Sequence, residues 1–312
     1  MNTAAETPDT AEGEGRAVID AHVHFWDPRR LSYPWLAEAP ALDRPHTAED
    51  LVAALPEPVE VIFVEAGAAV HDGHEEIEWV RRAARAHRWI RGAVAHIPLE
   101  QPDLALPAIR RYGADPFIVG VRRNLQDEAA GFTADVHFRA GVQALGEAGL
   151  PFDACVRDHQ LPELAQLAAA CPQTTIVLDH MGKPRSAQAP GAAAWRTALA
   201  RLAGRDNVVC KLSGLSTELP ADTSPAHAVD VLHAALDAFG PARCLYGSDW
   251  PVMNLATDYS AWLDLVHDAL ATYPAADTCA VLRANAERTY RPGHIATSPG
   301  PTTPGPPRKE SA

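Results

Sequence analysis

No apolar run in this 312-residue chain approaches the ~18 residues a membrane-spanning helix needs. Positive charge is also scarce: 27 Lys and Arg stand against 40 Asp and Glu, a formal net charge of −13. That balance excludes nucleic acid and an anionic membrane surface as partners, since both require a basic face. Cysteine is sparse and unpatterned. The five (Cys155, Cys171, Cys210, Cys244, Cys279) are odd in number and contain no Cys-x-x-Cys. A disulfide framework or zinc–thiolate site is therefore not expected, and reduced, buried thiols in a cytoplasmic protein are. Residues 1–16 have neither a basic n-region nor an apolar h-region, so they do not read as a secretory signal. They also lack apolar periodicity and are expected to form a disordered leader. Residues 292–312, rich in Pro, Gly and Thr, are expected to form a disordered tail. What remains, 17–291, has ample apolar content for one large core.

Within it, short β-branched runs recur, each followed by an Ala/Leu-rich helical stretch. The expected strands are 17–21, 59–64, 90–95, 117–121, 151–156, 174–178, 207–211 and 243–246. The expected helices are 75–87, 103–111, 136–147, 161–170, 192–203, 226–238, 259–272 and 277–290. Phe25–Pro58 reads as an insertion after strand one. Strand–helix alternation implies a parallel sheet. Every run ends in polar residues, whereas a doubly wound sheet concentrates them at its switch point. The expected fold is an α/β single (β/α)8 TIM barrel, whose chemistry sits at the C-terminal strand ends.

Two strings at opposite ends of the chain carry the candidate chemistry. His22 and His24 follow the first run two residues apart, so on an extended strand they face the same way. Asp249, in Gly-Ser-Asp-Trp-Pro, follows the eighth run. Barrel closure makes strands one and eight neighbours, so two imidazoles and a carboxylate converge. Asp249 is then the expected general base, and His180, ending strand six beside Asp179, joins the pocket. Of Arg122 and Arg123, ending strand four in tandem, one should face inward and grip substrate oxygens while the other faces out. Glu65, His96, Lys211 and Trp26 complete the expected substrate contacts. His22, His24 and Asp249 form the expected metal ligands if a divalent cation, Zn or Mn, is bound.

Five strings recur in order: Asp20–Pro28 with Tyr33–Leu36, Gly120–Glu128, Leu178–Pro184, Lys211–Gly214 and Gly247–Pro251. Together they resemble the lactonase branch of the amidohydrolase superfamily, which includes enzymes similar to L-fucono- and L-rhamnono-lactonases and pyrone-dicarboxylate lactonase. The resemblance implies a barrel hydrolase that opens a small cyclic ester, with or without one metal. Many metal-dependent members carry a ligand His at the end of strand five. This chain has Phe152–Arg157 there, and His159 lies beyond.

The expected reaction is attack of water, deprotonated by Asp249, on a lactone carbonyl polarised by His22, His24 and His180. Decarboxylation or amide hydrolysis on the same barrel, and ligand binding without turnover, are the competing readings. A small molecule is the expected partner, with homo-oligomerisation left open.

Overall fold

The computed structural model describes residues 18–184 and 191–291; the expected leader and tail lie outside them. Eight strands form one parallel sheet in chain order: β1 (Ile19–Val23), β2 (Glu60–Val64), β3 (Ile90–His96), β4 (Ile118–Arg122), β5 (Phe152–Ala154), β6 (Ile176–Leu178), β7 (Val208–Leu212) and β8 (Cys244–Tyr246). The sheet closes on itself just beyond β8. There Asp249 N–H donates to the His22 carbonyl at 2.9 Å and His24 N–H to the Trp250 carbonyl at 2.8 Å. The barrel expectation is met, with strand limits shifted by at most two residues.

Helices α1 (Ala48–Ala54), α2 (Gly73–Ala86), α3 (Pro102–Gly113), α4 (Val136–Glu147), α5 (Leu161–Ala170), α6 (Gly191–Ala203), α7 (Pro225–Phe239), α8 (Tyr259–Leu270), α9 (Ala275–Cys279) and α10 (Asn285–Tyr290) surround it. Local sequence sets their starts. Asp135 accepts from the His137 and Phe138 amides at the head of α4, and Ser224 caps α7 ahead of Pro225. The segment read as an insertion contains α1, which was not expected. It opens with a capping box between Thr47 and Asp50, a signal that stands out more than seven residues of periodicity. The expected last helix is broken into α9, a π turn at Ala280–Ala284, and α10.

Two apolar layers result. The larger packs the helices against the outer strand faces. The smaller fills the barrel with Ile19, Ala21, Ile62, Val64, Val94, Val119, Val177 and Leu245, and with Ala286 and Tyr290 of α10. Helix α10 therefore plugs the barrel from its N-terminal end. The Tyr290 hydroxyl reaches up to donate to Asp153 at 2.8 Å. Among the described residues no cysteine is paired, and Cys155, Cys171, Cys210 and Cys244 are buried. No helix among them is long and apolar enough to cross a membrane.

Candidate active site

The C-terminal strand ends surround a cavity of about 670 Å³. His24, Glu65, His96, Arg122, Cys155, His180 and Asp249 line it, each from the end of a different strand, and Trp26, Trp35 and Lys183 form part of the wall. At its floor three imidazoles approach one carboxylate oxygen. Asp249 Oδ1 lies 3.3 Å from His24 Nε2, 3.6 Å from His22 Nε2 and 3.9 Å from His180 Nε2. The two Nε2 atoms of His22 and His24 are 3.1 Å apart.

Backbone conformation delivers these groups. Asp249 holds φ of 66°, and His180 to Lys183 are four successive residues in left-handed geometry, three of them not glycine. Such residues cost about 1–3 kcal/mol each and persist only where packing dictates them. Here Trp195 Nε1–H donates to the Met181 carbonyl at 3.0 Å, and the Ser213 hydroxyl meets His180 Nδ1 at 2.9 Å. Gly214, with φ of 59°, leaves room for the same ring: a Cβ there would fall 2.4 Å from His180 Nδ1. Asp179 lies below the cavity, with Oδ1 3.1 Å from Lys211 Nζ and 3.3 Å from His22 Nδ1, and its carboxylate stays within 4.8 Å of a His180 ring nitrogen.

Tautomers follow from these contacts. The Val64 carbonyl accepts from His24 Nδ1–H at 2.8 Å, and the Lys211 ammonium donates to His22 Nδ1 at 3.1 Å. His24 Nε2 then carries a lone pair, and His22 Nε2–H donates to it at 3.1 Å. Burial, reinforced by Lys211, holds His22 well below the ordinary histidine range, so it stays neutral near pH 7. Burial does the same to His180. For Asp249, burial alone would raise the carboxyl, but His180, His24 and Lys183 hold it below its usual value. Once His22 Nε2 sheds its proton, it forms with His24 Nε2 and Asp249 Oδ1 a donor set that could hold a cation. A tetrahedral ion with ligands at about 2.0–2.1 Å has ligand–ligand edges near 3.3 Å. The edges here are 3.1, 3.3 and 3.6 Å.

The expected substrate contacts divide. Arg122 points inward, its Nε donating to Glu65 Oε1 at 2.5 Å and its Nη2 to the Glu65 carbonyl at 2.6 Å. Arg123 turns to the rim and pairs with Glu100 at 3.0 Å and Glu128 at 2.5 Å. His96 lines the cavity, and burial lowers its pKa. Trp26 is buried within the wall, its ring 5.2 Å from that of Trp35. Lys211 departs from expectation: it is fully buried below the floor and does not line the cavity. It is one residue short of the strand end, a layer deeper than the rim. Its ammonium lies 2.5 Å from Asp153, 3.1 Å from Asp179 and 3.1 Å from His22 Nδ1. His22 is likewise fully buried, presenting only its edge to His24 and Asp249. Trp35, Cys155 and Lys183 reach the cavity without having been singled out as site residues. The string carrying Lys183 was visible in the sequence, but the left-handed turn that aims it was not.

A family model for amidohydrolases matches residues 19–291. The chain belongs to the amidohydrolase family. An L-fucono-1,5-lactonase of Burkholderia multivorans is 34% identical over 291 residues, 88% of this chain and 96% of its own. An L-fucono-1,5-lactonase of Burkholderia ambifaria is 32% identical, covering 78% and 85%. Among solved structures, a zinc-bound amidohydrolase of Burkholderia multivorans superposes with a TM-score of 0.80 at 34% identity, covering 88% of this chain and 99% of its own. This amidohydrolase is thus a hydrolase on a (β/α)8 barrel, with relatives that open lactones.

Proposed function

We propose that this amidohydrolase opens the lactone of a small sugar acid, with Asp249 as general base. The convergence of three imidazoles on Asp249 Oδ1 at the cavity floor carries the reading. It leaves Oδ2 as the oxygen to meet water. The similarity to L-fucono-1,5-lactonases supports a polyhydroxylated lactone as the substrate class. A cavity of about 670 Å³ is ample for one.

Asp249 takes one proton from water, and the water oxygen bonds to the lactone carbonyl carbon. His180 stands at the wall to polarise the carbonyl, its neutral ring steered by Ser213. The tetrahedral centre then collapses, breaking the bond to the ring oxygen. Asp249 returns its proton to the departing alkoxide, which remains tethered in the product. The new carboxylic acid ionises to solvent, so each turnover releases one proton. His22, His24 and Asp249 would hold a divalent cation, zinc or manganese, which when bound supplies Lewis acidity at the floor.

Proton release with the purified protein against a panel of aldonolactones tests the reading. Saturable turnover of at least one member is expected. Absence of turnover on every lactone, with metal added and with chelator, would refute it.

A further inference from the structure

Three cationic side chains line the cavity among the described residues: Arg122, Arg123 and Lys183. They are not equally free. Arg122 is committed through Nε and Nη2 to the Glu65 carboxylate and carbonyl. Arg123 is divided between Glu100, Glu128 and the Asn124 carbonyl. Among the described residues Lys183 has one ion pair, to Glu218 at 3.2 Å. An ammonium has three N–H donors, so it retains capacity for an oxygen in the cavity. Its side chain is 17% exposed and that of Glu218 7%, so the pair is shielded from water and its field is little screened.

The backbone that presents this ammonium is strained at His180, Met181 and Lys183. Leu161 packs against Gly182 in the same turn, leaving no room for a Cβ. The strain places imidazole and ammonium together in the cavity lining beside Asp249, with His180 Nε2 3.9 Å from Asp249 Oδ1. That is a costly arrangement for a solvated loop and a useful one for a site that handles two oxygens.

We propose that Lys183 is a further catalytic residue, whose ammonium donates to the ring oxygen as it leaves the opened lactone. The proposal rests on the lactone-hydrolase reading. An aliphatic alkoxide is a poor leaving group, and the imidazoles already serve the carbonyl side. A compact cation on a flexible stem suits a single sp³ oxygen better than a planar guanidinium. No proton is consumed: Lys183 stabilises negative charge as the C–O bond breaks, and Asp249 delivers the proton it took from water.

The test compares wild type, K183M, K183Q and K183M/E218Q on one accepted aldonolactone, with melting temperatures alongside. K183M is expected to lower kcat roughly 10²–10³-fold while KM moves less than about threefold, as for loss of a donor used in the transition state. K183Q, which can still hydrogen-bond Glu218, should lose kcat similarly and carries the test should K183M fail to fold. The double variant removes the counter-charge and should remain as slow as K183M. Recovery of the double variant to within about threefold of wild type would overturn the proposal, reducing Lys183 to a neutraliser of Glu218. A raised KM with kcat unchanged would overturn it too, as uniform substrate binding. Wild-type turnover with both single variants unimpaired defeats this assignment alone; no wild-type turnover on any lactone defeats the lactonase reading with it.

Discussion

Replacing Lys211 by Met should destabilise the barrel far more than a typical single substitution does. The ammonium is fully buried, 2.5 Å from Asp153 and 3.1 Å from Asp179. Met preserves the length of the stem and deletes the charge, stranding two carboxylates in the barrel interior. At an effective dielectric near 20, unit charges about 3 Å apart attract by roughly 5 kcal/mol. Removing one member of a buried pair costs about 3–5 kcal/mol, because the partner stays desolvated. Some relief remains, since Tyr290 donates to Asp153 and Arg122 Nη1 lies 3.9 Å from Asp179. Each kcal/mol moves the midpoint of a domain this large by roughly 2–4 °C, so K211M should melt about 6–20 °C lower. Circular dichroism melts and urea titrations measure this directly. Adding Asp153→Asn should restore at least about 2 kcal/mol, a coupling expected only of residues that interact. A K211M protein within about 1 kcal/mol of wild type, or strict additivity in the pair, would refute this account of the floor.

Asp249→Asn should reduce lactone turnover by about 10²–10⁴-fold with its melting temperature nearly unchanged, and turnover rates near wild type would remove Asp249 as the base. Zinc titrated into wild type by calorimetry should bind at one site per chain, and His24→Ala should weaken it at least roughly tenfold; equal affinity would remove His24 from the ligand set. Asp20 is fully buried, and burial raises its pKa to about 6 although Ser248, His22 and Tyr259 all donate to it. The folded state thus keeps a proton that the unfolded chain releases near pH 4. That contribution is full below pH 4, fades as pH climbs to 6, and amounts to about 3 kcal/mol. Asp20→Asn should flatten this fall in stability between pH 4 and 6, and urea midpoints with the wild-type slope would contradict it.

The barrel was legible because each buried strand is a β-branched run and each surface helix an Ala/Leu stretch, two patterns with different periods. Closure could be inferred from the polar strand ends, and His22, His24 and Asp249 do meet where β1 adjoins β8. Depth within a strand was not legible. Lys211 and Arg122 both looked like rim residues, yet one lies below the floor and the other on the wall, because β7 continues one residue past Lys211 whereas β4 stops at Arg122. Nor was direction after a strand. The strand pattern ran out at Asp179 and His180, and nothing in it announced the left-handed run from His180 to Lys183 that follows. Glu65 could not be recognised as the partner of Arg122, since 57 residues separate them and only the sheet order brings them together.

Helix α10 and its tyrosine impose an order on biosynthesis. The eighth strand leaves the ribosome with Tyr246, but the side chain that fills the barrel base follows roughly forty residues later, several seconds at ~5–20 residues per second. During that interval Asp153 lacks its phenolic donor and the interior lacks its plug. The nascent sheet can collect its strands but cannot reach its final packing. A chain arrested in this window would expose an open barrel base to chaperones and proteases, so completion of the cavity floor reports that translation has passed residue 290.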